Sequence, residues 1–544
     1  MPEIAALHSN ARKEAVDHLS RKVRQSMEVP TDVYAVAVEL ESMGVNDKRA
    51  RKEYRFNSIF DLAEEVYEQI KQELDEELSE DKTKQQQKLT SGSVWERILA
   101  FVRYYGAGLL FMAPMFSQIL SVVFITYSLW AWLYFNELQA TVIAIGTIVA
   151  FVATGGITLT AGREISYYFR GQENYYLSYK VSRNIFGIGL LVLLAVGMLI
   201  YLVNLVIPFY PHNMMVLSGI YMLFIGIWLL SSTILYALQK HFMILMAVLA
   251  GTGVVILGME YLDMGIYYSH WFGIFISSLV MLIYSFSFLK YQIYKNEADT
   301  KKQHLPKFEV KYYNNYRYFI YGTCYFLFLF LDRIMAWSTG TPPPPYIIWF
   351  NTSYELGMDW ALISLVLITA SLEYSVNRFS TLILPIQKKT NLTFNKKFHD
   401  FFKDFYIRQL FLLSMVGLLS IIGNYYLVNS FRGMSSEIQI VEDFFSSAVL
   451  YKVFWLASFG YLFTSVGLMN TLFFFTLGRP EPVVRAMTIA ILVNIVVGFV
   501  CSRWYSFEYA VVGLVAGGLT FAVITAVYAR RFFGDLHYYY YSAY

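Results

Sequence analysis

Twelve apolar runs, each close to the ~20 residues that a membrane-spanning helix needs, recur along most of the chain. No other feature restricts the fold so strongly. Each run must be helical, because a lone strand in lipid would leave its backbone groups without hydrogen-bond partners. The runs are 107–133, 138–160, 185–207, 214–237, 242–262, 267–289, 316–337, 355–378, 406–428, 447–475, 483–502 and 508–529. The sequence therefore predicts an all-α integral membrane protein with about twelve transmembrane helices.

The first ninety residues differ in composition from the rest of the chain. They hold 19 acidic and 14 basic side chains, which is 33 of the 83 charges in the sequence. Within them, Asn57 is a good candidate for a helix N-cap, and Ile59, Leu62 and Val66 follow at helical spacing. We therefore expect residues 1–95 to form a small helical cytoplasmic region and a linker.

Lysine and arginine mark one side of the predicted membrane arrangement. If the N-terminus lies inside, the connections after even-numbered runs face the cytoplasm, and these connections hold the basic residues. They are Arg163, Arg170, Lys180, Arg183, Lys240, Lys290, Lys295, Lys301, Lys302, Lys307, Lys311, Lys388, Lys389, Lys396, Lys397, Lys403, Arg479 and Arg485. The opposite connections hold Arg432 and Arg503 and almost no other basic residue. Because cations resist translocation during insertion, we predict a multi-pass protein of the cytoplasmic (inner) membrane with both termini cytoplasmic.

The basic connection at 291–315 divides the runs into six and six. We expect a first six-helix bundle over 96–290 and a second over 316–544, the latter including an aromatic C-terminal tail. Two such halves, related by an axis along the membrane normal, are common in carriers whose binding site lies between them.

Among the charged residues inside the apolar runs, the three clearest lie in runs 7 and 8. Asp332 and Arg333 lie in run 7 and Glu373 lies in run 8. A charge at this depth costs at least ~2.5–3.5 kcal/mol on insertion scales, so it needs a partner or water. Two interpretations stay open, namely the wall of a water-lined cavity and a structural ion pair between runs 7 and 8. Lys452, near the start of run 10, either joins this group or extends to the membrane interface.

The sequence resembles the PelG-like family of exopolysaccharide exporters, within the multidrug/oligosaccharidyl-lipid/polysaccharide flippase superfamily. The resemblance rests on Tyr321-Gly322 and Phe330-Leu-Asp-Arg-Ile-Met-Ala-Trp337 in run 7, and on the polar stretch Ser371-Leu-Glu-Tyr374 in run 8. It covers roughly residues 95–544, by pattern. In that family an Asp-Lys pair followed by Trp is expected in run 7, and here Arg333 replaces the lysine. The resemblance implies two six-helix lobes around a central cavity.

The candidate residues of this transport cavity come from runs 7, 8 and 10. They are Asp332, Arg333, Trp337, Glu373, Tyr374, Asn377 and Lys452.

The favoured hypothesis is a transporter that exports or flips a polysaccharide or a lipid-linked sugar, beside a cytoplasmic glycosyltransferase and other synthase components. Two alternatives stay open: a multidrug-type exporter of small cationic compounds, which an acidic cavity would favour, and a non-transporting membrane anchor for a polysaccharide synthase. A membrane glycosyltransferase is disfavoured, because it needs a carboxylate-bearing outward loop. The first outward loop is predicted to span only Tyr134 to Leu138.

The sequence shows no sign of a catalytic or cofactor site. It contains no glycine loop of the form GxxxxGK[ST], so we expect no ATP hydrolysis. Cys324 and Cys501 lie in separate apolar runs without a neighbouring thiol, which disfavours a disulfide or a metal site. We therefore expect no enzyme, no cofactor and no metal, and the net charge of +3 gives no indication of nucleic-acid binding.

Overall fold

The computed structural model describes residues 16–24, 33–54, 56–73, 94–296, 305, 308–340, 343–389, 395–434, 447–476 and 478–534. Within these ranges, twelve helices are long enough and apolar enough to cross a membrane. The prediction of an all-α protein with twelve spans is therefore confirmed. The twelve helices form two six-helix bundles.

We label the spanning helices α1 to α12. The first bundle contains α1 (Val94–Ile125), α2 (Glu137–Ser166), α3 (Tyr175–Val206), α4 (His212–Ala237), α5 (His241–Glu260) and α6 (Ile266–Lys295). The second contains α7 (Phe308–Trp337), α8 (Thr352–Lys389), α9 (Asn395–Met434), α10 (Ala448–Thr476), α11 (Glu481–Trp504) and α12 (Val511–Gly534). We call the end at which α2 and α8 finish the basic side, because the lysine-rich connections lie there.

The first helix ends earlier than the sequence predicts, and the prediction of a loop from Tyr134 to Leu138 was wrong. Helix α1 stops at Ile125, and Thr126 adopts a left-handed conformation with φ of 68°. The apolar residues that follow fold back into the first bundle, where Leu129 is fully buried and its backbone N–H donates to the Gln118 side chain at 2.6 Å. The apolar residues after Ile125 are therefore buried by the protein and do not continue the helix. The Gln118 side chain supplies the hydrogen bond that the Leu129 backbone N–H would otherwise lack outside a helix.

The described residues divide into two compact units. The smaller unit groups Met1–Arg103 with Asn377–Asp404 and Asp535–Tyr544, and the larger one groups Tyr104–Val376 with Phe405–Gly534. In the smaller unit, helices over 16–24, Val33–Ser42 and 59–73 share a core that includes Leu40, Leu62 and Val66. The predicted cap Asn57 is corrected to Ser58, whose hydroxyl accepts from the Asp61 backbone at 3.2 Å. A helical region outside the spans is thus present, as the sequence predicts.

Two close crossings, which we call the seams, join the two bundles. In the first seam, a Cβ atom added to Gly108 of α1 would lie 2.5 Å from the carbonyl oxygen of Ala370 in α8. In the second, a Cβ atom added to Gly155 of α2 would lie 2.7 Å from the carbonyl oxygen of Gly322 in α7. Such contacts are typical of membrane helices, which associate through small residues because lipid gives them no hydrophobic driving force.

The seams occupy equivalent positions in the two bundles. Gly108 of α1 meets Ala370 of α8, just as Gly322 of α7 meets Gly155 of α2. Gly155 lies eighteen residues into α2 and Ala370 eighteen residues into α8. The bundles are therefore related by an internal repeat in which α1 corresponds to α7 and α2 to α8.

Substituting Gly155 by alanine tests the second seam, because the added methyl group would strike backbone across the crossing. We expect Gly155→Ala to destabilise the protein by about 1–3 kcal/mol, the usual cost of overpacking. Gly162→Ala is the matched control on the same helix, since no atom lies within 4 Å of a Cβ there. Thermal unfolding of the detergent-solubilised protein measures both, and equal unfolding temperatures would contradict the seam.

Candidate functional site

Among the described residues of the second bundle, the most deeply buried cation is Arg333 of α7, which is 4% exposed. Its Nε donates to the Glu355 carboxylate of α8 at 2.8 Å. Its other nitrogens donate to the Leu329 carbonyl at 3.1 Å and to the Tyr461 hydroxyl of α10 at 3.4 Å. One guanidinium therefore ties α7, α8 and α10 together. The fork of donors suits arginine and not lysine, which has no planar geometry to offer.

Asp332 adjoins this ion pair and is fully buried. It accepts one hydrogen bond, from the Tyr354 hydroxyl at 2.8 Å. Its second oxygen and the second oxygen of Glu355 are buried without a hydrogen-bond partner among the described residues. A buried carboxylate oxygen without a donor is costly unless a proton, a cation or water reaches it.

A third acidic residue, Asp359, lies one helical turn after Glu355 on the same face of α8. It is exposed although the residues on either side, Met358 and Trp360, are buried. We call Asp332, Arg333, Glu355 and Asp359 the charge cluster. It brings three carboxylates together with one guanidinium, and one of the three acidic residues is exposed.

Sequence analysis missed Glu355 and Asp359. Both lie near the start of run 8, where charged residues normally mark the interface. Their spacing of four residues could have indicated the site, because it places both acids on one face of a helix. That helix also had to supply a partner for Arg333. The predicted ion pair between runs 7 and 8 is present, but its acid is Glu355 and not Glu373.

Glu373 and Tyr374 lie away from the charge cluster, beside the first seam. Glu373 is eighteen residues beyond Glu355, a distance of about 27 Å along a helix. It is exposed, and Arg170, which follows α2, is close enough to act on it electrostatically. The ring of Tyr374 lies 6.1 Å from that of Tyr104 in α1, measured between centroids.

The remaining predicted residues have separate surroundings. Trp337 is buried at the end of α7, with its ring 5.1 Å from that of Phe350. Lys452 pairs with Glu508 at 2.8 Å, and its side chain is half-exposed, as an interface lysine would be. The side chain of Asn377 lies outside the described residues.

The connection from α7 to α8 reaches across to the first bundle on the side opposite the basic side. We call residues 343–351 the strap. Ile348 exchanges two hydrogen bonds with the Tyr210 hydroxyl, at 3.0 and 3.1 Å. The Trp349 indole donates to Glu137 at 2.7 Å, and the Phe350 backbone N–H donates to the Thr141 hydroxyl at 3.0 Å. The strap therefore fastens the two bundles together at this end of α2.

Burial raises the pKa of the Tyr210 hydroxyl above its ordinary value, against a smaller effect of the Ile348 backbone. The hydroxyl therefore stays protonated at neutral pH and remains able to donate to the Ile348 carbonyl.

The first bundle carries a neutral residue where the second carries Asp332. Gln118 lies ten residues after the seam glycine Gly108 of α1, as Asp332 lies ten residues after the seam glycine Gly322 of α7. Its amide donates to Thr252 at 3.2 Å and accepts from the Leu129 backbone, so both ends of the side chain are paired. At this position, therefore, the second bundle has a charged side chain and the first bundle has a neutral one.

Known structures share this fold. The structure of MATE in complex with MaL6 matches with a TM-score of 0.52 at 13% identity, over 80% of this chain and 96% of that chain. MATE in the straight conformation matches with a TM-score of 0.51 at 12% identity, with the same coverage. An outward-facing multidrug resistance MATE family transporter of the MOP superfamily matches with a TM-score of 0.49 at 13% identity, also with that coverage.

At these identities the likeness to the first two structures establishes a MATE-like fold. No protein-family model matches the sequence, and no curated protein matches it. Membership of the PelG-like family therefore stays a prediction.

Removing the guanidinium tests whether the charge cluster depends on it. We expect Arg333→Gln to destabilise the protein by about 3–5 kcal/mol, because it leaves buried carboxylates uncompensated. The double variant Arg333→Met with Glu355→Met should recover part of that loss. Lys452→Gln, which removes a cation from a half-exposed pair, should have little effect. Unfolding in detergent measures all three, and equal effects of the Arg333 and Lys452 substitutions would contradict this view.

Proposed function

We propose that this protein is a membrane transporter whose two bundles open alternately on the two sides of the membrane. The fold supports this proposal, because it is the fold of the MATE structures. A pair of lobes that rock about a site between them is a common mechanism for carriers with repeated bundles.

The charge cluster is the observation that carries the proposal. A structural ion pair needs one acid for one base, whereas Arg333 has three acids beside it. Among the described residues, two carboxylate oxygens have no donor, and Asp359 is exposed. This arrangement suits a site that binds and releases a proton or a cation during each cycle, because intramembrane charges without full pairing are retained for function.

The strap supplies a gate for such a cycle. It fastens the bundles on the side opposite the basic side through Tyr210, Glu137 and Thr141. Opening of that side requires these hydrogen bonds to break. Each one is a side-chain contact, typically worth about 0.5–1.5 kcal/mol, so the set is strong enough to hold the gate and weak enough to release it.

For the cargo, we propose a polysaccharide or a lipid-linked sugar, moved across the cytoplasmic membrane beside a cytoplasmic glycosyltransferase. The sequence pattern from Tyr321 to Trp337, similar to that of PelG-like exporters, supports this cargo. Aromatic residues make up 18% of the chain, and their rings can stack on sugars. On this proposal the basic side and both termini face the cytoplasm.

A second candidate is a transporter of small cationic compounds. The excess of acid in the charge cluster favours it, since a cation would satisfy the unpaired oxygens of Asp332 and Glu355. A neutral or acidic polymer would gain nothing from these carboxylates directly, so in the first proposal they serve the driving ion and in the second the cargo.

Deleting the gene and measuring surface polymer tests the first proposal. We expect a loss of at least tenfold, restored by the wild-type gene and not by an Asp359→Asn variant, which keeps the size of the side chain but removes its charge. Glu508→Gln is the control, because it alters an ion pair outside the charge cluster. Unchanged polymer in the deletion strain rejects this cargo. Hypersensitivity to lipophilic cations in the same strain would support the second candidate.

A further inference from the structure

A cavity of about 300 Å³ lies in the first bundle, between α2, α3 and α4. Its volume is at the lower end of the range of ~300–1,000 Å³ found for small-molecule sites. The lining is almost wholly apolar. It includes Ile145, Val149, Leu194, Met198, Val216 and Leu223. No residue of the charge cluster lines it, so it is separate from the site described above.

A glycine contributes to the recess. Gly197 of α3 and Gly219 of α4 both line the cavity, but a Cβ atom added to Gly197 would lie 2.8 Å from the Cε atom of Met222. A Cβ atom added to Gly219 would find no other atom within 4 Å, so a side chain there would project into empty space. The space beside Gly219 is therefore free for another molecule to fill.

The cavity opens towards the bilayer. Helix α3 has the most apolar stretch of the twelve spans, with a mean hydropathy of 2.7, and only 11% of that stretch is buried. At the rim of the cavity, Leu194 is 49% exposed, Met198 66% and Val216 38%. Among helices that cross a membrane, such a surface contacts hydrocarbon. The molecule that enters from there is a lipid.

The cavity has one polar end. The hydroxyl of Tyr201, which lines it, lies 3.4 Å from Nδ1 of His212. His212 is the first residue of α4 and is exposed. The pair therefore lies where helix α4 begins, at the level of lipid head groups. Tyrosine is enriched at this level because its ring is apolar and its hydroxyl is polar.

We infer that this cavity, which we call the lipid groove, binds one acyl chain of a bilayer phospholipid, with the head group beside Tyr201 and His212. The apolar lining, the opening to the hydrocarbon and the polar end match the three parts of such a molecule in order. The bound chain takes the place of the side chain that Gly219 lacks. It therefore packs α3 and α4 against α2 in a bundle where small residues leave a gap.

A photoactivatable phosphatidylcholine, with a diazirine near the middle of one acyl chain, tests this inference. The full chain is reconstituted into nanodiscs that contain the probe, and the labelled peptides are identified by mass spectrometry. We expect labelling of the groove segments at 194–201 and 215–223 to exceed labelling of other exposed stretches of α3 at least fivefold. Even labelling along α3 would show ordinary boundary lipid and overturn the inference.

Filling the groove should abolish the excess. We expect Gly219→Leu to lower labelling of the groove segments at least fivefold. We expect Val216→Phe, at the rim, to lower this labelling as well. Gly187→Leu is the matched control on α3, because a Cβ there also meets no atom within 4 Å. Labelling that persists in a correctly folded Gly219→Leu protein would overturn the inference.

Two further outcomes also decide the matter. Cross-links from the groove to a second copy of the chain, in place of lipid, would overturn the inference. If Gly219→Leu fails to fold, Val216→Phe decides alone. Replacing Tyr201 by phenylalanine together with His212→Ala should lower groove labelling at least twofold. Unaltered labelling in that double variant would contradict the placement of the head group.

Discussion

The hydrogen bonds of Arg333 organise the second bundle, because a guanidinium in a membrane cannot stay unpaired. Its partners come from three helices, with Glu355 on α8 and Tyr461 on α10. The neighbouring Asp332 and Asp359 exceed what pairing requires. A structural ion pair alone would not need these additional acidic residues, which cost free energy to hold within the membrane. A site that takes up protons or cations would need them. The first bundle avoids the cost, since Gln118 occupies the position equivalent to Asp332 and is fully paired.

The two bundles share one construction but differ in chemistry. Their seams lie at equivalent positions of corresponding helices, and both depend on small residues that let the two backbones come into contact. In the second bundle, the connection from α7 to α8 forms the strap, which reaches Glu137 and Thr141 on α2. The first bundle instead has the groove on its outer surface, for which we propose a lipid. On the proposed function, the second bundle holds the working charges and the first bundle holds that lipid.

The sequence predicted the fold well and the site less well. Length and hydropathy sufficed for twelve helices, because lipid permits little else. They failed after Ile125, where apolar residues are buried by protein and not by lipid. Asp332 and Arg333 were recognised by their depth in run 7, whereas Glu355 and Asp359 were missed because depth near a run end depends on the true start of the helix. The strap and the seams depend on contacts between distant segments, which no local pattern reveals.

The proposed transport cycle requires the side closed by the strap to open, and a reversible disulfide across the strap tests this requirement. Thr141→Cys with Phe350→Cys, in a protein lacking Cys324 and Cys501, joins two positions at which the Phe350 backbone nitrogen and the Thr141 hydroxyl lie 3.0 Å apart, which brings their Cα atoms within the range of a disulfide. The control pair is Ser364→Cys with Asn424→Cys, inside one bundle. Oxidation should abolish whichever transport the deletion strain loses, and reduction should restore it, with the control unaffected. Full transport by the cross-linked protein would show that the side closed by the strap does not need to open.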